Sequence, residues 1–519
     1  MNLLRATGTI GGLTLVSRIF GFARDMLLSR FLGAGMAADA FFVAFRLPNI
    51  FRRLFGEGAF SAAYVPMFSQ RLHGEGGLAA AKRFSEDVLS VFLPVLLLFT
   101  TAFEIFMPGF VWLMASGYAS DAQKFALTVE LTRLTFPYLM LISLVSLLSG
   151  ILNSMSKFAA AAAAPILLNV AMMTAILLVH DQQIASARAI SIAVTIAGVM
   201  QFGWMLWAVK RAGVTLRLRW PRLTPEVREL GRIILPATFG AGIYQLSQLI
   251  DTFFATRLPQ GSLSYLSYAD RLNQLPLGVI GAALGTAILP ALARHIGQRE
   301  EAEAAKIQSN AIELAMLITL PAAIALGICA VPLVTAFFRG GHFSVADATI
   351  TGHVLACLVG GLPAYVLVKV LTPGFYARKD TKTPVKTAII VLAINVALNF
   401  LLITYFGVIG LALATAICAW LNCVMLYVIL VRRGHFHIAL PLWGRLVRQL
   451  LAALAMAAAL IFLKAALGGL FNGSVGDRLM GIGALVGAGA VIYFGVAWII
   501  GAFDPELLGQ LKRRRRKAA

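Results

Sequence analysis

Long apolar runs recur along the whole chain, and they restrict it to one class of fold. The stretches 158–179, 314–338 and 388–410 each contain no charged residue. About 18 consecutive apolar residues are enough to cross a bilayer as a helix. In hydrocarbon the backbone N–H and C=O groups must pair internally, and these runs lack the alternation typical of a membrane barrel. The sequence therefore predicts an all-α polytopic membrane protein.

Fourteen spans can be placed on this pattern. The first, second, seventh and eighth are less apolar than the other ten. Their predicted limits are 8–32, 36–69, 86–115, 122–152, 158–180, 186–209, 228–256, 262–293, 307–337, 346–377, 384–405, 407–431, 446–467 and 478–502.

Basic residues are concentrated in the loops that follow even-numbered spans. The loop at 210–222 alone holds five, and the chain ends in "LKRRRRK". Loops after odd-numbered spans hold at most one each: Lys124, Arg188, Arg257, Arg339 and Arg478. The positive-inside rule then predicts that both termini are cytoplasmic. This distribution accounts for the net charge of +21, so the charge does not indicate nucleic-acid binding.

Prolines and one asparagine mark an internal repeat. Five pairs of positions recur at nearly one offset along the chain: Pro66 and Pro290, Pro94 and Pro321, Pro108 and Pro332, Pro137 and Pro363, and Asn169 and Asn395. The first six spans and the next six are therefore predicted to be two copies of one bundle with the same orientation, an N-lobe at 1–222 and a C-lobe at 223–440. Two such lobes leave a substrate cleft near the midplane of the membrane. Two extra spans at 441–505 and a basic cytoplasmic tail at 506–519 follow.

Charged residues interrupt the second span, at "RLPNIFRRLFGEGAF", residues 46–60. Asp39, Arg46 and Arg53 recur every seven residues, so they share a helix face with Asn49 and Glu57. A charge inside a span costs about 2.5–3.5 kcal/mol on insertion scales and usually faces a cavity or a partner. Further charges inside spans are Arg18, Arg24, Asp25, Arg52, Asp270, Arg271 and Lys369.

Two interpretations of this charged set remain open. Any single arginine can snorkel to an interface, or can pair with an acidic residue to lock two helices together. Taken together, however, the basic groups outnumber the acidic ones, so a cavity lined by them would attract an anion. The planar guanidinium donates two hydrogen bonds at once and suits phosphate. The set therefore favours an anionic, phosphate-bearing substrate.

A second polar set is distributed over three spans and predicts a possible sodium site. It consists of Asp251 in the seventh span, Asn395 and Asn399 in the eleventh, and Thr415 in the twelfth. A carboxylate, two amide carbonyls and a hydroxyl are ligands for a hard cation. The alternative is ordinary hydrogen bonding between helices.

Motifs for chemistry are missing from the sequence. It contains no GxxxxGK[ST], HExxH, CxxC or GxSxG, and no acidic metal-binding run of the kind that membrane transferases use. We therefore predict a transporter with no cofactor. A drug exporter is disfavoured because its substrates are often cationic, and a structural scaffold would not need a basic stripe. A transporter of any polyprenyl-pyrophosphate sugar fits the residues equally well.

Three segments resemble a known family. "SRIFGFARDMLLSRFLGAGMAADAFFVAFRLPNIFRRLFGEGAFSAAYVP" (17–66), "YADRLNQLPLGVIGAALGTAILP" (268–290) and "KVLTPGFYARKDTKTPVK" (369–386) are similar to segments of the MurJ (MviN) lipid II flippases. That family belongs to the multidrug/oligosaccharidyl-lipid/polysaccharide exporter superfamily. Its fold is fourteen helices in two six-helix lobes plus two extra helices.

The resemblance implies a function and a site. The substrate would be lipid II, the undecaprenyl-pyrophosphate-linked peptidoglycan precursor, moved across the bacterial inner membrane by alternating access. The headgroup residues would be Arg18, Arg24, Asp39, Arg52, Arg53 and Arg271, and the lipid tail would lie along 446–502. Some members bind Na⁺. This chain has Asn399 where an acidic residue can occur, so Na⁺, H⁺ and the membrane potential all remain open as the driving force. Other cell-wall synthesis proteins are possible partners, and a two-lobe transporter is expected to work as a monomer.

Overall fold

The computed structural model describes residues 3–53, 59–179 and 182–502. Over these residues the all-α prediction is confirmed, and the β-structure within them is the single bridge between Gly340 and Phe343. The helices are α1 (Leu3–Leu32), α2 (Met36–Arg52), α3 (Ala59–His73), α4 (Gly77–Ile105), α5 (Met107–Met114), α6 (Ala122–Thr135), α7 (Tyr138–Ser154), α8 (Ala159–Leu178), α9 (Gln183–Arg211), α10 (Pro225–Ala255), α11 (Ser262–Gly297), α12 (Glu301–Ile328), α13 (Ala330–Phe338), α14 (Val345–Gly360), α15 (Leu362–Tyr376), α16 (Lys382–Arg432), α17 (Leu440–Ala466) and α18 (Val475–Ile499).

Each predicted span coincides with one helix, with two helices in succession, or with half of α16. In the described part of the chain, nine helical segments are long and apolar enough to cross a membrane. One of them, α16, covers the eleventh and twelfth predicted spans, so the nine segments account for ten spans. The four that remain are the first, second, seventh and eighth, which are the less apolar ones. The chain is thus a multi-pass membrane protein, and the count of fourteen crossings stays a prediction.

Gly407 divides α16 into its two spans. Its backbone has φ 55° and ψ −130°, a conformation that is open essentially to glycine alone. Three residues later, a Cβ on Gly410 would lie 2.3 Å from the carbonyl oxygen of Leu402, so the chain folds back tightly on itself there. The predicted boundary between spans at 405–407 is therefore confirmed by a specific backbone requirement.

The predicted repeat is visible in the places where helices break. The break between α4 and α5 falls at Phe106 and that between α12 and α13 at Cys329, an offset close to that of the proline pairs. Ser156 and Lys379 have the same offset as these two breaks. They follow α7 and α15 and adopt positive φ values of 58° and 62°. The two halves thus share unusual backbone features as well as prolines.

The described residues group into two compact units. The first comprises Met1–Ser264 and Gly340–Phe343, and the second comprises Tyr265–Arg339 and Ser344–Ala519. In the first unit α10 packs against α3 and α5. In the second, α17 and α18 pack against each other, and α17 packs on α12. The predicted domain limits at 222, 440 and 505 follow the sequence repeat and stay a prediction.

Polar contacts fasten the extra pair α17 and α18 to α12. The carboxylate of Glu313 on α12 is buried and lies 2.8 Å from the Nε atom of Arg445 on α17. Gln449 Nε2 donates to the carbonyl oxygens of Glu313 and Ala502, at 3.4 and 3.2 Å. From α18, the Tyr493 hydroxyl donates to the Leu317 carbonyl at 2.9 Å.

We expect Arg445→Ala to lower the free energy of unfolding by about 3 kcal/mol, because it leaves the Glu313 carboxylate buried without its cation. Glu313→Gln combined with Arg445→Ala should recover most of that loss. Chemical unfolding in detergent, followed by circular dichroism, measures both. Equal destabilisation by the single and double variants would mean that the pair contributes through packing and not through charge.

Candidate functional site

Pro48 shapes the helix that carries most of the predicted arginines. Proline has no N–H, so the Ala44 carbonyl four residues earlier loses its helical partner. The Thr135 hydroxyl of α6 donates to that carbonyl instead, at 3.0 Å. Asn49 Nδ2 donates to the Phe45 carbonyl at 2.8 Å. The helix α2 therefore tolerates its proline and continues to Arg52.

Arg24 on α1 is held in one orientation inside the first unit. Its Nε and Nη2 atoms donate to Asp25 Oδ1 at 3.0 and 2.7 Å, and its Nη1 donates to Asn169 Oδ1 at 3.0 Å. Asn169 in turn donates to the Ser17 carbonyl, at 3.1 Å. Arg24, Asp25 and Asn169 are all buried. The sequence marked Asn169 only as a repeat position. A lone amide in a charge-free span was the available signal that it binds a polar partner.

The other arginines of the predicted set differ in exposure. Arg18 is exposed, and Arg52 and Arg53 are half-buried at the end of α2. The Nε atom of Arg52 donates to Asn49 Oδ1 at 3.3 Å, and Arg46 Nη1 donates to the Thr252 hydroxyl at 2.6 Å. Glu57 lies outside the described residues.

Asp39, at the start of α2, lies at the centre of a buried polar cluster. Only 1% of the residue is exposed. Its Oδ2 atom accepts from Lys124 Nζ and from the Gly261 N–H, both at 2.8 Å. Its Oδ1 atom accepts from the Ser264 hydroxyl at 2.7 Å and from the Ser264 N–H at 3.1 Å. The Lys124 ammonium also lies 4.0 Å from the centre of the Tyr118 ring.

This arrangement bears on the role predicted for Asp39. Its carboxylate already has a cation and three further donors from the protein, so in this conformation it is engaged with the chain itself. Lys124 was noted in the sequence only as an isolated basic residue of a loop. A separation of 85 residues hid the pairing of the two.

Close backbone approaches occur in the same loops as the Asp39 cluster. The His342 N–H donates to the Arg30 carbonyl at 2.8 Å. A Cβ on Gly341, whose φ is 55°, would lie 2.2 Å from the same carbonyl oxygen. A Cβ on Gly33 would lie 2.6 Å from the His342 carbonyl oxygen. A Cβ on Gly117, the residue before Tyr118, would lie 2.2 Å from the Thr256 carbonyl oxygen.

All of these contacts belong to the first unit, and they join loops and helix ends that follow odd-numbered predicted spans, on the side that the topology prediction places outside. We call them the outer seal, defined by Gly33, Asp39, Gly117, Lys124 and Gly341. Only glycine allows backbones to come this close. The outer seal therefore depends on three side-chain-free positions and one buried ion pair.

In the second unit, α11 carries Asp270 and Arg271, both half-buried, and α15 carries Lys369, which is exposed. Gln274 Nε2 donates to Asp270 Oδ2. These positions and the arginines of α1 and α2 belong to different units. The assignment of all of them to one headgroup site stays a prediction.

The sodium set is likewise divided between the units. Asn399 Nδ2 donates to Asn395 Oδ1 at 3.1 Å on α16, where both amides are buried. The Thr415 hydroxyl donates to the Leu411 carbonyl at 2.9 Å, and Asp251 is half-buried on α10. Over the described ranges, no group of three His, Cys, Asp or Glu residues is placed to hold a metal. The sodium site stays a prediction.

Comparison with known proteins identifies relatives over the full length. The family model described as "Lipid II flippase MurJ" matches residues 28–475. The chain is 42% identical to a "Probable lipid II flippase MurJ" of Rhizobium tropici, covering 100% of this chain and 98% of that one. It is 36% identical to the "Lipid II flippase MurJ" of Burkholderia cenocepacia, covering 96% and 98%.

Solved structures give the fold. A lipid II flippase MurJ in an inward closed conformation superimposes with a TM-score of 0.79 at 24% identity, over 94% of this chain and 98% of that one. An inward-facing multidrug resistance MATE transporter of the MOP superfamily superimposes with a TM-score of 0.64 at 16% identity, over 82% and 97%. The superfamily fold expected from the sequence is thereby confirmed.

We expect Lys124→Met to open the outer seal, because it removes the cation from a carboxylate that is almost fully buried. A reporter cysteine replacing the buried Ser262, in a chain whose four cysteines are replaced, should react with a membrane-impermeant maleimide about tenfold faster or more. Lys464→Met is the matched control, since that ammonium binds the Ile328 carbonyl of the second unit. An unchanged labelling rate in Lys124→Met would show that the ion pair does not hold the seal closed.

Proposed function

The chain belongs to the MurJ family of lipid II flippases, and we propose that it carries lipid II from the cytoplasmic to the periplasmic leaflet of the bacterial inner membrane. Family membership over the full length supports the substrate class. The observation that supports the chemistry is the presence of arginines on α1 and α2, the first two predicted spans, with Arg24 fixed in orientation by Asp25 and Asn169.

The headgroup is proposed to bind through its pyrophosphate, which brings roughly two negative charges into a low-dielectric region. Arg24, Arg52, Arg53 and Arg271 are the proposed ligands, since a guanidinium fork binds two phosphate oxygens at once. Asp25 and Asn169 already restrict the rotamer of Arg24. Less side-chain entropy is therefore lost when Arg24 binds the pyrophosphate.

The lipid tail is proposed to remain in the bilayer beside α17 and α18. Both helices expose large apolar side chains: Leu451, Leu454, Ile461, Phe462, Val486, Val491 and Phe494. A polyprenyl chain needs only such an apolar surface, because it has no polar group to satisfy. The free-energy cost of taking polar groups across the membrane then comes only from the pyrophosphate and the attached sugars.

Alternating access is the proposed mechanism, with the outer seal as the barrier on the periplasmic side. Release of the headgroup outward requires the Asp39–Lys124 pair and the glycine contacts to separate. The membrane potential supplies about 2.3 kcal/mol per elementary charge per 100 mV, and its sign favours outward movement of an anion. Asp251, Asn395, Asn399 and Thr415 are the proposed place for a coupling Na⁺ or H⁺.

Complementation tests the proposal. In a bacterium depleted of its own lipid II flippase, the wild-type chain should restore growth and externally accessible lipid II. Arg24→Ala and Arg271→Ala should not, and Arg24→Lys should fail as well if the fork matters as much as the charge. Arg432→Ala, an exposed arginine at the end of α16, is the control and should rescue.

The outcomes separate the candidate functions at matched expression. Failure of the wild-type chain despite correct insertion would favour another polyprenyl-pyrophosphate sugar as substrate. Rescue by every arginine variant would show that these side chains are structural. Export of cationic drugs by a chain that does not move lipid II would favour the second candidate, a drug exporter like the structurally similar multidrug resistance MATE transporter.

A second prediction concerns the conformational cycle. Gly341→Ala places a Cβ against the Arg30 carbonyl and should hold the outer seal open, so that labelling at Ser262→Cys rises and flipping falls. Gly77→Ala is the matched control, because Gly77 has a similar φ of 51° but open space around it. Equal behaviour of the two variants would mean that backbone strain, and not the collision, causes the effect.

A further inference from the structure

The segment between α9 and α10 begins at the level of a membrane surface. The last turns of α9 carry Trp204 and Trp207, both partly exposed, with ring centres 5.1 Å apart. The guanidinium of Arg211 lies 5.3 Å from the centre of the Trp207 ring. Tryptophan is enriched where hydrocarbon meets water. The residues that follow, 213–224, therefore leave α9 at an interface, and we call them the linker strip.

A buried carboxylate fixes the linker strip to α4. The residue is Glu86, whose Oε1 atom accepts from the Arg217 N–H at 3.0 Å. Its Oε2 atom lies 2.7 Å from Arg219 Nε. Lys82, one turn earlier on α4, reaches both Glu86, at 3.7 Å, and the Thr215 hydroxyl, at 3.5 Å. The linker strip is thus anchored along its length and not only at its two ends.

Large apolar side chains of the linker strip remain exposed although the Arg219 side chain and the Arg217 backbone are bound to Glu86. Leu218 is 67% exposed, Trp220 87% and Leu223 67%. Three large apolar side chains are therefore presented outward by a segment whose backbone is held in place. Exposed apolar groups rimmed by polar ones mark a binding surface.

The same surface is strongly basic. Residues 210–232 include seven Lys or Arg and two Glu. Arg217 and Arg222 flank Trp220 and are exposed, as are Lys210, Arg211, Arg228 and Arg232. Four to eight basic residues next to a membrane helix are typical of segments that bind anionic lipid, each contributing about 1 kcal/mol near the surface.

We propose that the linker strip is a binding surface for anionic phospholipids of the leaflet that it faces, independently of the transported lipid. Leu218, Trp220 and Leu223 enter the headgroup region, and Arg217 and Arg222 bind lipid phosphates. A bilayer is favoured over a protein partner because the tryptophans of α9 place this segment at the membrane surface. The basic groups are also spread along the chain over residues 210–232, as suits an extended membrane surface.

A fluorescent reporter on the full chain tests this proposal. Leu223→Cys, in a chain whose four native cysteines are replaced, carries an environment-sensitive dye and leaves Trp220 intact. The protein is titrated with phosphatidylglycerol in micelles that also contain phosphatidylcholine, and in parallel with inorganic phosphate. We expect a blue shift with phosphatidylglycerol that is weakened by high salt.

Two charge-neutralised variants make the test specific. Arg217→Gln with Arg222→Gln should weaken the response to phosphatidylglycerol about 30-fold, the product of two basic residues near an anionic surface. Lys306→Gln with Arg432→Gln removes the same charge from exposed positions of the second unit and should leave the response unchanged. All four positions are exposed, so the variants should elute and unfold as the parent does.

Three results would overturn the proposal. An equal blue shift with phosphatidylcholine alone would mean that the linker strip inserts without recognising charge. The same shift with inorganic phosphate would identify a free-phosphate site. No shift with either lipid would leave the linker strip facing water, and capture of a cytoplasmic protein by it would then identify a protein-binding surface.

Discussion

A carboxylate that is removed from water must be matched by a cation and by hydrogen-bond donors, and the outer seal depends on this requirement being met at Asp39. An unmatched buried carboxylate costs several kcal/mol, whereas a matched one can be close to neutral. Lys124, Gly261 and Ser264 together meet that requirement. They come from two separate segments of the chain and can do so only while those segments are together. Separating the two segments would leave the Asp39 carboxylate without these partners, so the ion pair and its hydrogen bonds favour the arrangement in which the segments are together.

The glycines of the outer seal act on the same equilibrium by a different route. Gly33, Gly117 and Gly341 contribute no attraction of their own, but each allows another backbone to approach to a distance that a Cβ would forbid. The ion pair thus stabilises the contact, and the glycines allow the backbones to approach closely. The two contributions act together, because the close approach that the glycines allow brings the segments near enough for the buried ion pair to form.

Much of the fold could be predicted from the sequence, because membrane helices are set by local composition. The apolar runs located the spans, and the proline pairs indicated a repeat whose helix breaks recur in both halves, at Phe106 and Cys329. The predicted limits of the eleventh and twelfth spans, 384–405 and 407–431, meet at Gly407. The structure adds that the backbone there requires a glycine. Asp39 and the arginines were recognisable as unusual because charges in spans are expensive.

The partners of these charges could not be predicted, because they lie far away along the chain. Lys124 is 85 residues from Asp39, Asn169 is 145 from Arg24, and Arg217 is 131 from Glu86. Hydrophobic periodicity says which face of a helix is polar but not which distant residue will meet it. Lys124 was noted only as an isolated basic residue of a loop, and no pattern in the sequence singled out Glu86. Their burial distinguishes them, and burial depends on tertiary packing. In this protein the sequence therefore identifies which charges lie inside predicted spans, while the packing decides which distant group each of them meets, as Lys124 does for Asp39 and Asn169 for Arg24.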